Sequence, residues 1–337
     1  MGWTDLFKSN KLKADPRIRW FGKLPTYPDY YSSPADEEWA VEFNDWVLKG
    51  FEVYQSRLKG QSQTNRRLPI SGCVIRLPRT GMTVFASVLD YGGDMRGRPF
   101  PVCFYVGIPT ASWPGPSSAT MAGAVAAVRE MLDLRRDVVR FLHSPGRFES
   151  VFGDRAIDLA RTANPQPDNA CAAARTIPFE EWFNIARGCL KIQDQHRWRV
   201  AVDQWGQNLM RHEGRDFQPT LRFPLAMRMP YEWQIAGWIR WLESRINVGR
   251  RTLSILVSGE PSQGCGSLTV IARDVLREDF LLLTPLSRTV SYLDDLLAFG
   301  DGIDDGNSPE QSVGLDPVID GPAGSWLDFV EAKPSAR

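Results

Sequence analysis

Three apolar runs constrain this chain most. Residues 72–77, 83–89 and 100–108 are dense in Val, Ile, Phe and Tyr and are bounded by Pro and Gly, the composition of β-strands. They follow one another with little chain between them, and consecutive strands joined in this way pair antiparallel. The expectation is an antiparallel meander. Its second connection, residues 90–99, is long for a hairpin loop and carries Asp90, Asp94, Arg96 and Arg98; long loops in compact domains often carry function.

The meander needs cover. Upstream, residues 17–21 read as a first strand closed by Gly22, and Pro25 and Pro28 then force an extended or turning path. A helix is expected from Pro34 to about Leu58. Ser33 would be its N-cap, with Asp36, Glu37 and Glu38 in the first turn, where the helix dipole favours acids. Trp39, Phe43, Trp46, Val47, Gly50 and Tyr54 recur on one helical face. Downstream, Ser117 or Ser118 can cap a helix to Leu142 with Met121, Val128, Met131, Leu132, Val138, Val139 and Leu142 inward. Residues 2–13 read as a short amphipathic turn, and residues 60–67 and 143–177 as irregular.

In the second half, helices are expected over residues 178–188, over 197–211 with Trp198, Val202, Trp205 and Leu209 inward, and from Pro230, with Trp233, Ile235, Trp238, Ile239, Leu242 and Ile246 inward. Strands are expected at 220–227, 252–257, 268–272 and 280–283, and a last helix at 290–299. After Gly300 the chain is acidic and rich in Gly and Pro, the composition of a mobile tail, with Trp326, Leu327 and Phe329 able to dock it. The fold class is therefore mixed α/β (α+β), with helices packed on largely antiparallel sheets.

Bulk chemistry removes several classes. Lys+Arg and Asp+Glu both number 40, and nucleic acid as the main partner would require a basic excess. The five cysteines, Cys73, Cys103, Cys171, Cys189 and Cys265, form no C-x-x-C spacing, so neither a disulfide framework nor a zinc site is expected. The first 13 residues lack an apolar h-region and no run approaches a membrane span. The expectation is a cytoplasmic protein with no direct membrane insertion. Twelve tryptophans point to a core built on large flat rings.

Catalytic signatures are weak. Residues 259–267 look like a phosphate loop, but the lysine is missing and a strand follows, so a turn between two strands is the better reading. Asp301, Asp304 and Asp305 fail calcium-loop spacing, with Ile303 and Ser312 at ligand positions. His143, His196 and His212 have no partner at metal-ligand spacing. No catalytic residue, cofactor or metal is assigned. Asp90, Asp94, Arg96 and Arg98 admit two readings: an acid/base site with anion-binding arginines, or internal pairing that locks the loop to the body, with Asp29 as distant partner and Arg98→Ala destabilising the fold. The second is favoured.

Gly22-Lys23-Leu24-Pro25 followed by Asp29-Tyr30 resembles the opening G-K-L-P-x-x-G-D-F of the TagF family, also called ImpM, accessory proteins of bacterial type VI secretion. The family's W-D-x-W helix element corresponds to Phe43-Asn44-Asp45-Trp46, and its acid followed by G-R-x-F-P corresponds to Asp94 with Gly97, Arg98, Phe100 and Pro101. Pro28, Tyr30, Phe43 and Asn44 depart from the pattern, and the loop is longer and carries two acids, as in a divergent, long member. The resemblance covers about residues 17–142. It implies a TagF-like domain over residues 1–145, with residues 146–300 a second α/β half that is either an elaborated family C-terminus or an added subdomain; composition places a subdomain boundary near 163–174 and an acidic, Gly/Pro-rich tail over 301–337. It implies the motif residues Gly22, Lys23, Leu24, Pro25, Asp29, Trp46, Asp94, Gly97, Arg98, Phe100 and Pro101 as structural or partner-binding. It further implies a non-enzymatic regulator holding secretion inactive after translation through a forkhead-associated scaffold protein. The alternatives are a hydrolase or transferase using the Asp94/Arg96/Arg98 loop, or an architectural subunit of the apparatus.

Overall fold

The computed structural model describes residues 17–34, 37–59, 67–110, 128–134, 137–140, 150–151, 176–190, 194–211, 218–229, 231–247, 252–260, 265–296 and 326–331. Nine strands among them form one sheet. They are β1 (Arg19–Lys23), β2 (Tyr30–Ser32), β3 (Ser71–Leu77), β4 (Met82–Leu89), β5 (Val102–Pro109), β6 (Thr220–Ala226), β7 (Ser254–Glu260), β8 (Cys265–Ile271) and β9 (Leu293–Asp295). The order is β2-β1-β5-β4-β3-β7-β8-β6-β9. Every pairing is antiparallel except β6 with β9. The predicted meander is present, with Cys73 opposite Ala86 and Val88 opposite Cys103. The fold is mixed α/β, with a largely antiparallel sheet and helices alongside. The β3–β7 pairing carries the sheet from the first half of the chain into the second.

Both faces of the sheet are covered. On one, Cys73, Ile75, Val84, Ala86, Val88, Cys103 and Tyr105 pack under α1 (Glu38–Leu58) and the 3₁₀ segment Arg277–Leu283. On the other, Val74, Phe85, Phe104, Val106, Ile255 and Val257 pack under Val128, Met131, Leu134 and Val138 and the helices α2 (Phe179–Ala186), α3 (Gln195–Arg211), α4 (Tyr231–Glu243) and α5 (Trp326–Glu331). Strands buried on both faces are apolar at consecutive positions rather than alternating, which is why residues 102–108 read as an unbroken apolar run.

Five expectations need correction. Gly22 does not close the first strand: it lies inside β1, opposite Tyr31 on one side and Val102 on the other. Ser33 does not cap α1. Its hydroxyl donates to the Trp20 carbonyl and accepts from the Trp20 N–H, while Glu37 holds the cap position without a side-chain bond to the helix N–H groups, its carboxylate being paired with Arg19. Residues 280–283 are 3₁₀ helix, not strand. Their four consecutive buried side chains carry no period, and a short apolar run does not distinguish helix from strand. The expected last helix contains β9 instead, where Leu293, Asp294 and Asp295 pair with Thr220, Leu221 and Arg222. The Arg222 guanidinium donates to Asp295 at 3.1 Å, so an ion pair fixes that edge. Val139, expected inward, is 55% exposed. The expectations for residues 2–13, 60–66, Met121, Leu142, His143, His212 and 301–325, and most of those for 143–177, lie outside the described residues.

Candidate functional site

The first motif and the long hairpin loop meet at the β1–β5 edge. Leu24 begins a turn in which its carbonyl accepts from the Tyr27 N–H at 3.0 Å, with Pro25 at the second position, where its fixed φ suits a turn. Gly22 has φ +150°. A side chain there would press into Pro101, with its Cβ 2.5 Å from the Val102 Cα and closer still to the Pro101 carbonyl oxygen. That oxygen accepts from the Lys23 N–H at 3.3 Å. The glycine is therefore required by close backbone approach, which hydropathy patterning does not reveal.

Asp94 is the centre. Its side chain is fully shielded from solvent. Oδ1 accepts from the backbone N–H groups of Arg96 and Arg98, each at 3.0 Å. Oδ2 accepts from Arg98 Nε at 2.7 Å and lies 3.3 Å from Lys23 Nζ. Burial alone would raise the carboxyl. The bonds from the Arg98 N–H, the Arg98 guanidinium, Lys23 and the Arg96 N–H outweigh it and bring it from 3.8 down to about 2. The loop closes on itself through Gly97 N–H to Asp94 O at 2.8 Å and on the first motif through Met95 N–H to Tyr27 O at 2.8 Å.

Arg98 bridges the two segments. It donates to the Pro28 carbonyl at 2.7 Å and lies 3.4 Å from Asp29, while its side chain stays 44% exposed. The expected Arg98–Asp29 contact is present, though with Asp94 as the closer carboxylate. Lys23 Nζ sits 4.7 Å from the Tyr30 ring centroid, a cation–π contact. Tyr30 stacks on Phe21 at 5.5 Å, and Phe100 meets both rings edge-on. Burial, with the charges of Asp29 and Glu52, raises the Tyr30 phenol.

The structure thus gathers Gly22, Lys23, Leu24, Pro25, Asp29, Asp94, Gly97, Arg98, Phe100 and Pro101. It places Trp46 elsewhere, on α1, its indole N–H donating to the Leu276 carbonyl at 2.9 Å. Asp90 also stands apart, accepting from the Leu68 and Gly92 N–H groups. Arg96 and Met95 face outward, Met95 at 63% exposure.

Residues 19–144 match the family model of the TagF N-terminal domain, type VI secretion system-associated. The match contains every motif residue from Gly22 to Pro101 and ends before the second half. No curated protein matches the chain. Among solved structures, the crystal structure of PA0076 from Pseudomonas aeruginosa PAO1 is similar at 19% identity, with a TM-score of 0.33, over 41% of this chain and 61% of that one. The chain thus spans about three fifths of that protein.

Chemically, the matched segment offers a closed acid and an open rim. Asp94 has its oxygens engaged by four donors and is held ionised. Burial pushes the Cys73 and Cys103 thiols up, and for Cys103 the neighbouring Cys73 adds to this, so neither is an activated nucleophile. No cluster of His, Cys, Asp and Glu fit to hold a metal occurs among the described residues, and no helix among them is long and apolar enough to cross a membrane.

Two carboxylates escape a reading of the sequence. Glu42, buried on α1, accepts from the Arg79 and Thr80 N–H groups and the Thr80 hydroxyl, pinning the β3–β4 turn. Asp279 takes a two-pronged Arg273 contact, the Leu276 N–H and the Tyr292 hydroxyl. Glu42 falls on the inward face of α1, a helical position where an acid is conspicuous. Nothing in the sequence marks Asp279.

Proposed function

We propose that this protein is a non-enzymatic, cytoplasmic accessory of a bacterial type VI secretion system that restrains secretion after translation by binding a forkhead-associated scaffold protein. The observation that carries the reading is the match of residues 19–144 to the TagF N-terminal domain. The site geometry supports it: Asp94 locks two segments together, and the outward groups around it, Met95, Arg96, Tyr30 and the exposed part of Arg98, make a mixed apolar and cationic rim. Arginine and aromatic side chains of this kind are common anchors in protein interfaces. The hydrolase or transferase reading requires Asp94 as a free base, and its bonds to Lys23 and Arg98 oppose that. In cells that encode the system, affinity capture of the tagged chain recovers the scaffold, and deletion raises export of a secreted effector. Arg96→Glu keeps the melting temperature and loses capture. Unchanged export on deletion, with no scaffold recovered, refutes the proposal. One copy per assembled apparatus component, fixed across conditions, would instead favour an architectural subunit.

A further inference from the structure

Trp326 and Phe329 fill an aromatic groove whose wall tryptophans Trp182 and Trp238 also bond to groups outside α5. Trp182 of α2 is held by its indole N–H donating to Gln234 Oε1 at 2.8 Å, and the same oxygen accepts from the Ala226 N–H of β6. Trp238 of α4 donates its indole N–H to the Pro224 carbonyl at 3.0 Å. These bonds tie both walls to β6 through partners outside α5. Trp326 then stacks on Trp182 at 4.0 Å between centroids and meets Trp238 edge-on at 4.9 Å. Phe329 lies 4.5 Å from Phe179 and 5.7 Å from Trp198. The Arg199 guanidinium sits over Phe179 and Phe329 at 5.1 and 5.5 Å.

We infer that this groove, between α2, α3 and α4, is a helix-docking site whose resident ligand is the chain's own segment Trp326–Glu331, held reversibly in cis. Four observations support this. The segment spans six residues, too short to be a stable helix alone, so it folds as it docks. Its anchors are an aromatic pair at i and i+3, the spacing of helix-in-groove ligands. Its backbone is tied through the Trp326 N–H to the Ile177 carbonyl at 2.9 Å, while the buried Trp326 indole N–H finds no acceptor among the described residues, an incomplete fit that favours release. Finally, 29 residues separate Leu296 from Trp326 in the sequence, a length whose fully extended limit is roughly 100 Å, so chain length alone does not tie the segment to β9.

A protease site placed within residues 301–320 of the full chain tests this. After cleavage and dilution the body keeps a cooperative melt and binds a labelled peptide of residues 322–337 saturably. The intact chain binds that peptide at least about tenfold more weakly, because its own segment competes at high effective concentration. Phe329→Ala in the peptide costs at least about tenfold in affinity, as loss of an aromatic anchor does. A cut fragment that never exchanges, or a body that unfolds on its release, makes the segment integral core and overturns the inference. So does equal peptide binding by cut and intact chains. An intact chain that runs as a dimer and is converted to monomer by the peptide places the occupant in trans and overturns the cis assignment.

Discussion

Gly22→Ala compared with Gly97→Ala separates two physical reasons for a glycine in the motif. Both residues have positive φ, +150° and +72°. Around Gly97 nothing lies within 4 Å of where an alanine methyl would point, whereas at Gly22 the same methyl would fall 2.5 Å from the Val102 Cα and 2.9 Å from the Pro101 carbonyl carbon. An alanine at 97 therefore bears left-handed strain alone, about 1 kcal/mol or slightly more. At 22 three terms combine: about 1–3 kcal/mol for a backbone region that alanine avoids, about 1–3 kcal/mol for forcing a methyl into packed backbone, and about 1 kcal/mol for weakening the Lys23 N–H to Pro101 bond. The sum is roughly 3–7 kcal/mol, several-fold the effect at 97. Urea denaturation of the two full-length variants, followed by tryptophan fluorescence, reads both from the midpoint at unchanged slope. A Gly22→Ala loss no larger than that of Gly97→Ala would refute the close-approach argument and restore the reading of Gly22 as a turn residue.

Other outcomes follow from the same contacts. Because the Asp94 carboxyl is depressed from 3.8 to about 2, its contribution to stability is full above about pH 4 and is lost as pH falls through 2. Asp94→Asn should flatten that limb of the acid-denaturation profile and lower stability at pH 7, and an unchanged acid limb would contradict the assignment. Arg98→Ala should lower the urea midpoint more than Asp29→Ala, which removes a largely exposed pair and should cost about 0.5 kcal/mol or less; equal effects would show that Asp29 rather than Asp94 anchors Arg98. Glu42→Ala leaves the Arg79 and Thr80 N–H groups without their carboxylate acceptor and should cost about 2–4 kcal/mol, with amide exchange at residues 78–81 accelerating before exchange elsewhere. Protection at those amides equal to the parent's would count against the pinning role.

The elements legible in the sequence are those whose period or boundary chemistry is local. Apolar spacing reveals the three-strand meander, α1, α3 and α4. The missing lysine of a phosphate loop and the strand after it mark residues 259–267 as a join between two strands, and β7 and β8 pair antiparallel on either side of it. Segments whose conformation is set from a distance are not legible. Ser33 looks like a cap until Trp20 claims both its donor and its acceptor. Residues 280–283 look like strand until the Arg273–Asp279–Tyr292 set holds them in a 3₁₀ turn. Residues 293–295 look helical until β6 offers an edge and Arg222 offers a charge to Asp295. For Ser33 and for residues 293–295 the deciding partner sits on another strand, 13 and 73 residues away; for residues 280–283 Arg273 is only six residues from Asp279, but no period or motif marks the two as partners.

The same distinction bears on how the motif should be tested as a partner surface. Asp94, Gly22 and Phe100 are the residues that make the motif recognisable, yet all three are buried and satisfied internally, so substituting them changes the fold and every function with it. The residues free to meet a partner, Met95 and Arg96, lie between the recognisable positions and have no motif identity. A loss of binding on Asp94→Ala would carry no information about contact. A loss on Arg96→Glu at unchanged melting temperature would, because that side chain is exposed and the Asp94 lock beneath it uses only the Arg96 backbone N–H, which the substitution leaves in place.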